Sequence, residues 1–191
     1  MSAWRTGLFC ACLALIAGSA AAQVSPIEAA HLVAGDRTEV ETLPTLWNRS
    51  PVVFVHYLQT VSGSAHRMLF VVHRGARGRL QQTRVTAIEE EGGPPEIAAI
   101  GFANADRDRA LELVVIATWP QKHYDYEGSF YEVRLFDDLK PGQAELRPLN
   151  ALTAHFGLAC DCDWRDGTHK RYRFKTINAV KSELRRLGFK P

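Results

Sequence analysis

The sequence predicts an α+β fold: an antiparallel β-sheet meander with a short N-terminal helix and a C-terminal amphipathic helix packed on the sheet. Short runs rich in Val, Ile, Phe and Tyr alternate with Gly, Pro and Ser segments, which is typical of strands joined by turns. A helix-start pattern precedes the first run. The last segment of the 191-residue chain carries apolar residues at helical spacing.

The first element is a short helix. Residues 25–28, Ser-Pro-Ile-Glu, have the spacing of a capping box with proline at the first helical position. We expect this helix to run to about Ala34, because Gly35 follows as a helix-ending residue. A polar linker is expected from there to Pro51.

The strands come next, and turn residues separate them. Their short connections favour antiparallel pairing between successive strands. The predicted strands are 51–59, 67–74, 79–89, 96–102, 111–119 and 129–137.

The rest of the chain mixes helix and strand. A polar junction at 137–143 leads to a helical piece over 149–156, and the Asp-Gly pair at 166–167 predicts a hairpin turn before a strand at 171–175. The closing helix is expected from Thr176, as N-cap, to Gly188. One face of this helix carries Ile177, Val180, Leu184 and Leu187.

Residues 1–22 have the pattern of a cleavable signal peptide. Arg5 precedes an apolar run from Leu8 to Ala17, and small residues at 20–22 form an A-x-A cleavage site. The run is half the roughly twenty residues that a membrane-spanning helix needs. We therefore expect the mature chain, 23–191, to form a single α+β domain in the periplasm or outside the cell, with no stable membrane insertion.

The composition and cysteine usage agree with an exported domain. With 23 Lys and Arg against 21 Asp and Glu, the net charge of +2 gives no reason to expect nucleic-acid binding. Signal cleavage would leave Cys160 and Cys162 as the remaining cysteines. In an oxidising compartment a disulfide between them is favoured, while free thiols and redox or metal chemistry are the alternatives.

One loop between two predicted strands carries a metal-ligand pattern. Asn104, Asp106, Asp108 and Glu112 place side-chain oxygens at relative positions 1, 3, 5 and 9. That spacing curls a short loop around a hard cation, and calcium is the cofactor that it suggests.

This loop resembles the calcium-binding loop of FG-GAP or VCBS-type repeats, with its D-x-N-x-D-G-x-x-[DE]-L pattern before a strand. The resemblance implies the same four side chains as ligands, together with the backbone carbonyl of Ala110. Two positions depart from the pattern, because Asn104 replaces an aspartate and Arg109 replaces a glycine. The alternative is a structural turn in which Arg107 and Arg109 pair with the acidic groups.

A second segment concentrates aromatic and charged side chains in a predicted hairpin loop. Trp119, His123, Tyr124 and Tyr126 lie within 119–131, and such rings supply rigid contact area for a partner. The alternative is that Trp119 caps the core and the loop is merely polar.

No catalytic sequence signature is present: the chain has no H-E-x-x-H, G-x-S-x-G or glycine-rich phosphate-loop motif. The leading expectation is a non-catalytic domain that binds a protein or glycan partner in the cell envelope, as an inhibitor or immunity factor would. One alternative is an envelope hydrolase that uses the acidic loop and His123, and another is a calcium-stabilised structural module.

Overall fold

A computed structural model describes residues 23–189, so the predicted signal peptide lies outside the described residues. The predicted α+β class is confirmed. The elements are α1 (Pro26–Ala34), β1 (Val40–Trp47), β2 (Ser50–Val61), β3 (Ser64–Arg74), β4 (Leu80–Glu89), β5 (Glu96–Ala103), β6 (Glu112–Lys122), β7 (Tyr126–Phe136), α2 (Asn150–Phe156), β8 (Leu158–Trp164), β9 (His169–Lys170) and α3 (Ile177–Arg186).

The strands form two antiparallel sheets, each ordered as the strands occur in the sequence. Sheet A contains β1 to β4, and sheet B contains β5 to β9. The meander divides after β4, where a Glu-Glu-Gly-Gly-Pro-Pro segment at 90–95 connects sheet A to sheet B. Two prolines at this point lack the N–H groups that would continue the ladder.

The two sheets pack face to face around the largest core cluster. In β2 the side chains of Val52 and Phe54 face this core, while Val53 and Val55 face the other side of sheet A. In β6, Leu113 likewise faces the same core. Both strands are buried on both faces, which explains their nearly continuous apolar sequences.

Helices cover the outer faces of both sheets. α1 packs on sheet A, where Ala29 is fully buried beside Val53. α3 packs on the outer face of sheet B, where Val180 and Leu184 join the second core cluster. The side chain of Thr176 accepts a hydrogen bond from the backbone N–H of Ala179, which confirms the predicted N-cap.

Two predictions in the connecting regions were wrong, and one strand was missed. The expected polar linker before Pro51 contains strand β1. This half-exposed edge strand was not recognised because its sequence contains polar residues and Pro44. The expected strand at 171–175 is irregular, since Tyr172 and Phe174 pack into the second core instead. Strand β8 was not predicted, because its aspartates and cysteines are not typical of the β-branched and aromatic composition of strands.

Within 23–189, no helix combines the length and the apolar character that crossing a membrane requires.

Candidate functional site

The acidic loop, 104–111, connects β5 to β6 and is folded by its own aspartates. Asp106 Oδ1 accepts a hydrogen bond of 2.8 Å from the N–H of Asp108, and Asp108 Oδ1 accepts one of 2.7 Å from the N–H of Ala110. Two such turns in succession curl the backbone. Asn104 Nδ2 closes the curl by donating to the carbonyl oxygen of Asp108 at 3.2 Å.

The end of the acidic loop is fixed to sheet A. Asn48, in the turn between β1 and β2, accepts a hydrogen bond from the N–H of Leu111 and donates one to its carbonyl oxygen, at 2.8 and 3.1 Å. The indole N–H of Trp47 donates to the same carbonyl at 2.6 Å. These three bonds hold the loop end where β6 begins.

Glu112, the first residue of β6, is the most unusual charged group of this region. Its side chain is completely buried. One carboxylate oxygen, Oε2, accepts a hydrogen bond from the N–H of Ala105, while the other, Oε1, is buried without a hydrogen-bond partner. Burial, reinforced by the negative charges of Asp106 and Asp108, raises the pKa of Glu112 to about 7, and the Ala105 hydrogen bond opposes this only in part.

A third carboxylate lies at the same end of sheet B, just after the neighbouring strand β7. Asp137 directly follows β7 and is 2% exposed. Its Oδ2 accepts hydrogen bonds from Arg147 at 2.7 and 2.9 Å and from Lys140 at 3.0 Å. Burial opposes ionisation of Asp137, but these cationic donors hold its pKa below the ordinary value.

Asp106, Glu112 and Asp137 form a three-carboxylate cluster, in which one oxygen of each lies within 4.8 Å of the others. Among residues 23–189, Asp106 and Glu112 form no ion pair, whereas Asp137 has two cationic partners. The cluster therefore carries about two uncompensated negative charges when it is ionised.

Two more predicted ligands, Asp108 and Asn104, lie in the same loop, and Asp108 is not part of this cluster. Asp108 is exposed, and its carboxylate is occupied by the turn that it stabilises. Asn104 Oδ1 is buried without a hydrogen-bond partner, like Glu112 Oε1. Arg107 and Arg109, which could have neutralised the acidic groups, are exposed and form no ion pair within the described chain.

The sequence pattern missed Asp137, although a signal for it was present. In the β6–β7 pair, Leu113 lies opposite Phe136, so the residues just before and just after these two are neighbours. Glu112 and Asp137 occupy those positions. Reading the register of the predicted hairpin would have brought the two carboxylates together.

Three of the four predicted partner-binding residues, His123, Tyr124 and Tyr126, lie at the far end of the β6–β7 hairpin. His123, Tyr126 and Trp164 form a ring stack, with centroid distances of 4.5 Å for the first pair and 5.5 Å for the second. Tyr124 is 84% exposed, and the guanidinium of Arg165 lies 4.3 Å from its ring centroid. We call these five residues the aromatic surface.

The remaining predicted contact residue, Trp119, lies in the core between the sheets and not on the aromatic surface. It is 3% exposed, and its indole N–H donates to the carbonyl oxygen of Glu89 at 2.8 Å. His123, the residue assigned to a hydrolase in one alternative, has its ring nitrogen Nε2 3.0 Å from the side-chain oxygen of Gln121. The polar partner of His123 is thus an amide and not a carboxylate.

Cys160 and Cys162 form a close pair on β8, with Cα atoms 5.4 Å apart, a separation usual for disulfides. Strand β7 accommodates the pair through Gly128, which lies opposite Cys162. A side chain at Gly128 would collide with the carbonyl oxygen of Asp161 and with Cys162 Cα. Glycine is therefore required at this close approach of the two strands.

No protein-family model matches this chain, and neither the curated proteins nor the solved structures contain a match.

Proposed function

We propose that this chain is a calcium-binding module in which one cation joins the acidic loop to the end of strand β7. The observation that supports the proposal is Glu112 Oε1, a completely buried carboxylate oxygen without a hydrogen-bond partner. A buried charge is very costly unless a counter-ion or hydrogen bonds compensate it. Here two further carboxylates lie beside it, from Asp106 and Asp137.

The charge and donor type favour a divalent, oxygen-binding cation. The two carboxylates that lack cationic partners, Asp106 and Glu112, match the charge of one divalent ion. Calcium accepts six to eight oxygen ligands in flexible geometry, whereas magnesium requires a compact octahedron. A curled loop with backbone carbonyls and an unpartnered amide oxygen on Asn104 suits calcium better.

Binding would stabilise the fold at a point where distant segments meet. The cluster joins the β5–β6 connection to the residue that follows β7. A ligand that binds only the folded state raises the free energy of unfolding, by about 2.7 kcal/mol at a free concentration of 100 times Kd.

The test compares melting temperatures in metal-free buffer and in millimolar calcium. We expect calcium to raise the melting temperature of the wild-type protein and to have little effect on Asp106→Asn. Asp125→Asn is the matched control, because Asp125 is an exposed carboxylate in the β6–β7 turn. It should respond to calcium like the wild type. An unchanged wild-type melting temperature, or an Asp106→Asn response as large as the control's, would reject the proposal.

A second candidate function is non-catalytic binding of a protein or glycan partner, as an inhibitor or immunity factor would bind. The observation that favours it is the aromatic surface, where Tyr124 leaves most of its ring in solvent beside the ring stack. Exposed aromatic rings held by neighbouring side chains supply contact area at little entropic cost.

Tyr124→Ala tests this surface, since Tyr124 contributes little burial to the fold. Capture of a partner from the cell envelope should weaken at least tenfold, with an unchanged melting temperature. Ile27→Ala is the control, because Ile27 is a similarly exposed apolar residue on α1, 82% exposed. Equal capture by both variants would reject the aromatic surface as the contact.

Export through a signal peptide at 1–22 stays a proposal that rests on the sequence pattern. Mass spectrometry of the protein isolated from its own cells should find Gln23 at the amino terminus. A chain that keeps residues 1–22 would contradict cleavage.

A further inference from the structure

A groove of about 810 Å³ lies between the β1–β2 turn and the end of the acidic loop. Its lining is mixed, with the apolar side chains of Leu46, Leu111 and Leu139 beside polar and charged groups. Leu46, at the rim, is 63% exposed. The volume falls within the range of about 300–1,000 Å³ that is typical of small-molecule sites.

Two arginines line this groove from opposite segments, Arg49 from the turn and Arg109 from the acidic loop. Neither side chain forms an ion pair or a hydrogen bond with any residue in 23–189. The one acidic residue that lines the groove is Asp138, and its Oδ1 lies 3.6 Å from the ammonium group of Lys140. The groove, which we call the arginine groove, is therefore net positive.

The backbone at Arg49 has a conformation that favours glycine. Its φ angle is 67°, following 49° at Asn48, so both central residues of the turn are left-handed. Two-residue hairpin turns of this kind prefer Asn-Gly, because glycine has no Cβ to collide with the backbone. Asn48 fits this preference and Arg49 does not, so the arginine makes the turn less stable without gaining a contact.

The two walls of the groove are held together before any ligand binds. Asn48 and Trp47 make the three hydrogen bonds to Leu111 described above, which tie the turn to the loop that carries Arg109. A site whose walls are already held together binds a ligand with less loss of entropy than one whose walls must first be ordered.

We propose that the arginine groove binds a small organic anion whose carboxylate or phosphate contacts Arg49 and Arg109 and whose apolar body contacts the leucines of the lining. A guanidinium matches carboxylate and phosphate oxygens with two parallel hydrogen bonds. The unpaired arginines explain the preference for an anion, and the leucines of the lining, Leu46, Leu111 and Leu139, explain the preference for an apolar body. The site does not depend on calcium, because its walls are joined by direct hydrogen bonds.

The test is calorimetric titration of the full-length protein in buffer freed of divalent cations by a chelating resin. The probes are phenyl phosphate, benzoate and inorganic phosphate. We expect phenyl phosphate or benzoate to bind more tightly than inorganic phosphate, and the better of the two identifies the anionic group. Absence of binding by all three, or inorganic phosphate as the tightest ligand, would overturn the proposal.

Two substitutions separate a binding role from a structural role. Arg49→Gly should weaken binding of the better probe at least about tenfold, the effect of losing a charge-assisted contact, while raising the melting temperature by relieving the turn. Arg109→Ala should weaken binding similarly. Arg107→Ala is the control, because Arg107 lies in the same loop without lining the groove. Wild-type affinity in Arg49→Gly and Arg109→Ala would refute the assignment.

The calcium proposal is tested separately. The anion titration is done without calcium. Absence of anion binding would therefore reject the anion proposal alone and would not bear on calcium binding at the three-carboxylate cluster. Likewise, the absence of a calcium effect would reject the calcium proposal without bearing on the anion site in the arginine groove.

Discussion

Replacing Glu112 by glutamine should stabilise the metal-free protein above neutral pH, although Glu112 is completely buried. The raised pKa of about 7, against an ordinary 4.5, means that the folded state resists ionisation. A group whose pKa is raised on folding gives stability that is lost as pH rises, here between about 4.5 and 7. At about 1.4 kcal/mol for each pH unit in that window, the loss is about 3 kcal/mol.

Glutamine keeps an oxygen that can accept the hydrogen bond from the N–H of Ala105 but carries no charge. In metal-free buffer at pH 8, Glu112→Gln should therefore exceed the wild type in stability by up to about 3 kcal/mol, and the two should be nearly equal at pH 4.5. Saturating calcium should remove this advantage, because the cation stabilises the wild-type carboxylate and has little affinity for the amide.

Urea unfolding at both pH values, with and without calcium, measures these four differences. Glu127→Gln is the control, since Glu127 is an exposed carboxylate on β7 and should show neither effect. If Glu112→Gln is less stable than the wild type in metal-free buffer at pH 8, the buried carboxylate contributes to the fold itself. The reasoning would then be wrong.

Three other substitutions test the fold. The Arg186 and His155 hydrogen bonds hold the pKa of Glu183 down at about 2, so the wild type should lose stability as pH falls from 4.5 towards 2. Acid denaturation of Glu183→Gln should lack that step, and an identical acid profile would contradict the assignment. Gly128→Ala should cost at least about 2 kcal/mol in urea unfolding because its Cβ meets backbone, and a neutral result would show that β7 and β8 can separate. Phe54→Ala should cost about 3–5 kcal/mol, since Phe54 is fully buried in the core between the sheets, and a loss below 1 kcal/mol would place it outside that core.

The sequence predicted those parts of the fold in which local pattern and tertiary packing agree. The capping box of α1, the apolar runs of β2 to β7 and the amphipathic α3 each combine a strong local preference with burial. Strands β1 and β8 escaped prediction because their pairing partners, and not their own composition, hold them in place. The division into two sheets was also beyond local pattern, because it depends on which faces are buried together.

The candidate site was predictable only where its residues are close in sequence. The spacing of Asp106 and Glu112 pointed to a cation, and the structure places their oxygens together. Asp137 contributes through the β6–β7 register, and Trp164 joins the aromatic surface through the register of β7 with β8, where it lies opposite Tyr126. Side chains that meet across strands require the pairing before the site can be recognised.

Direct titration of the metal-free wild-type protein with calcium tests the central claim most simply. Calorimetry should find one calcium ion bound per chain, with release of protons from Glu112 near pH 7, and no comparable binding in Asp106→Asn. A wild-type protein that takes up no calcium at millimolar concentration would contradict the claim.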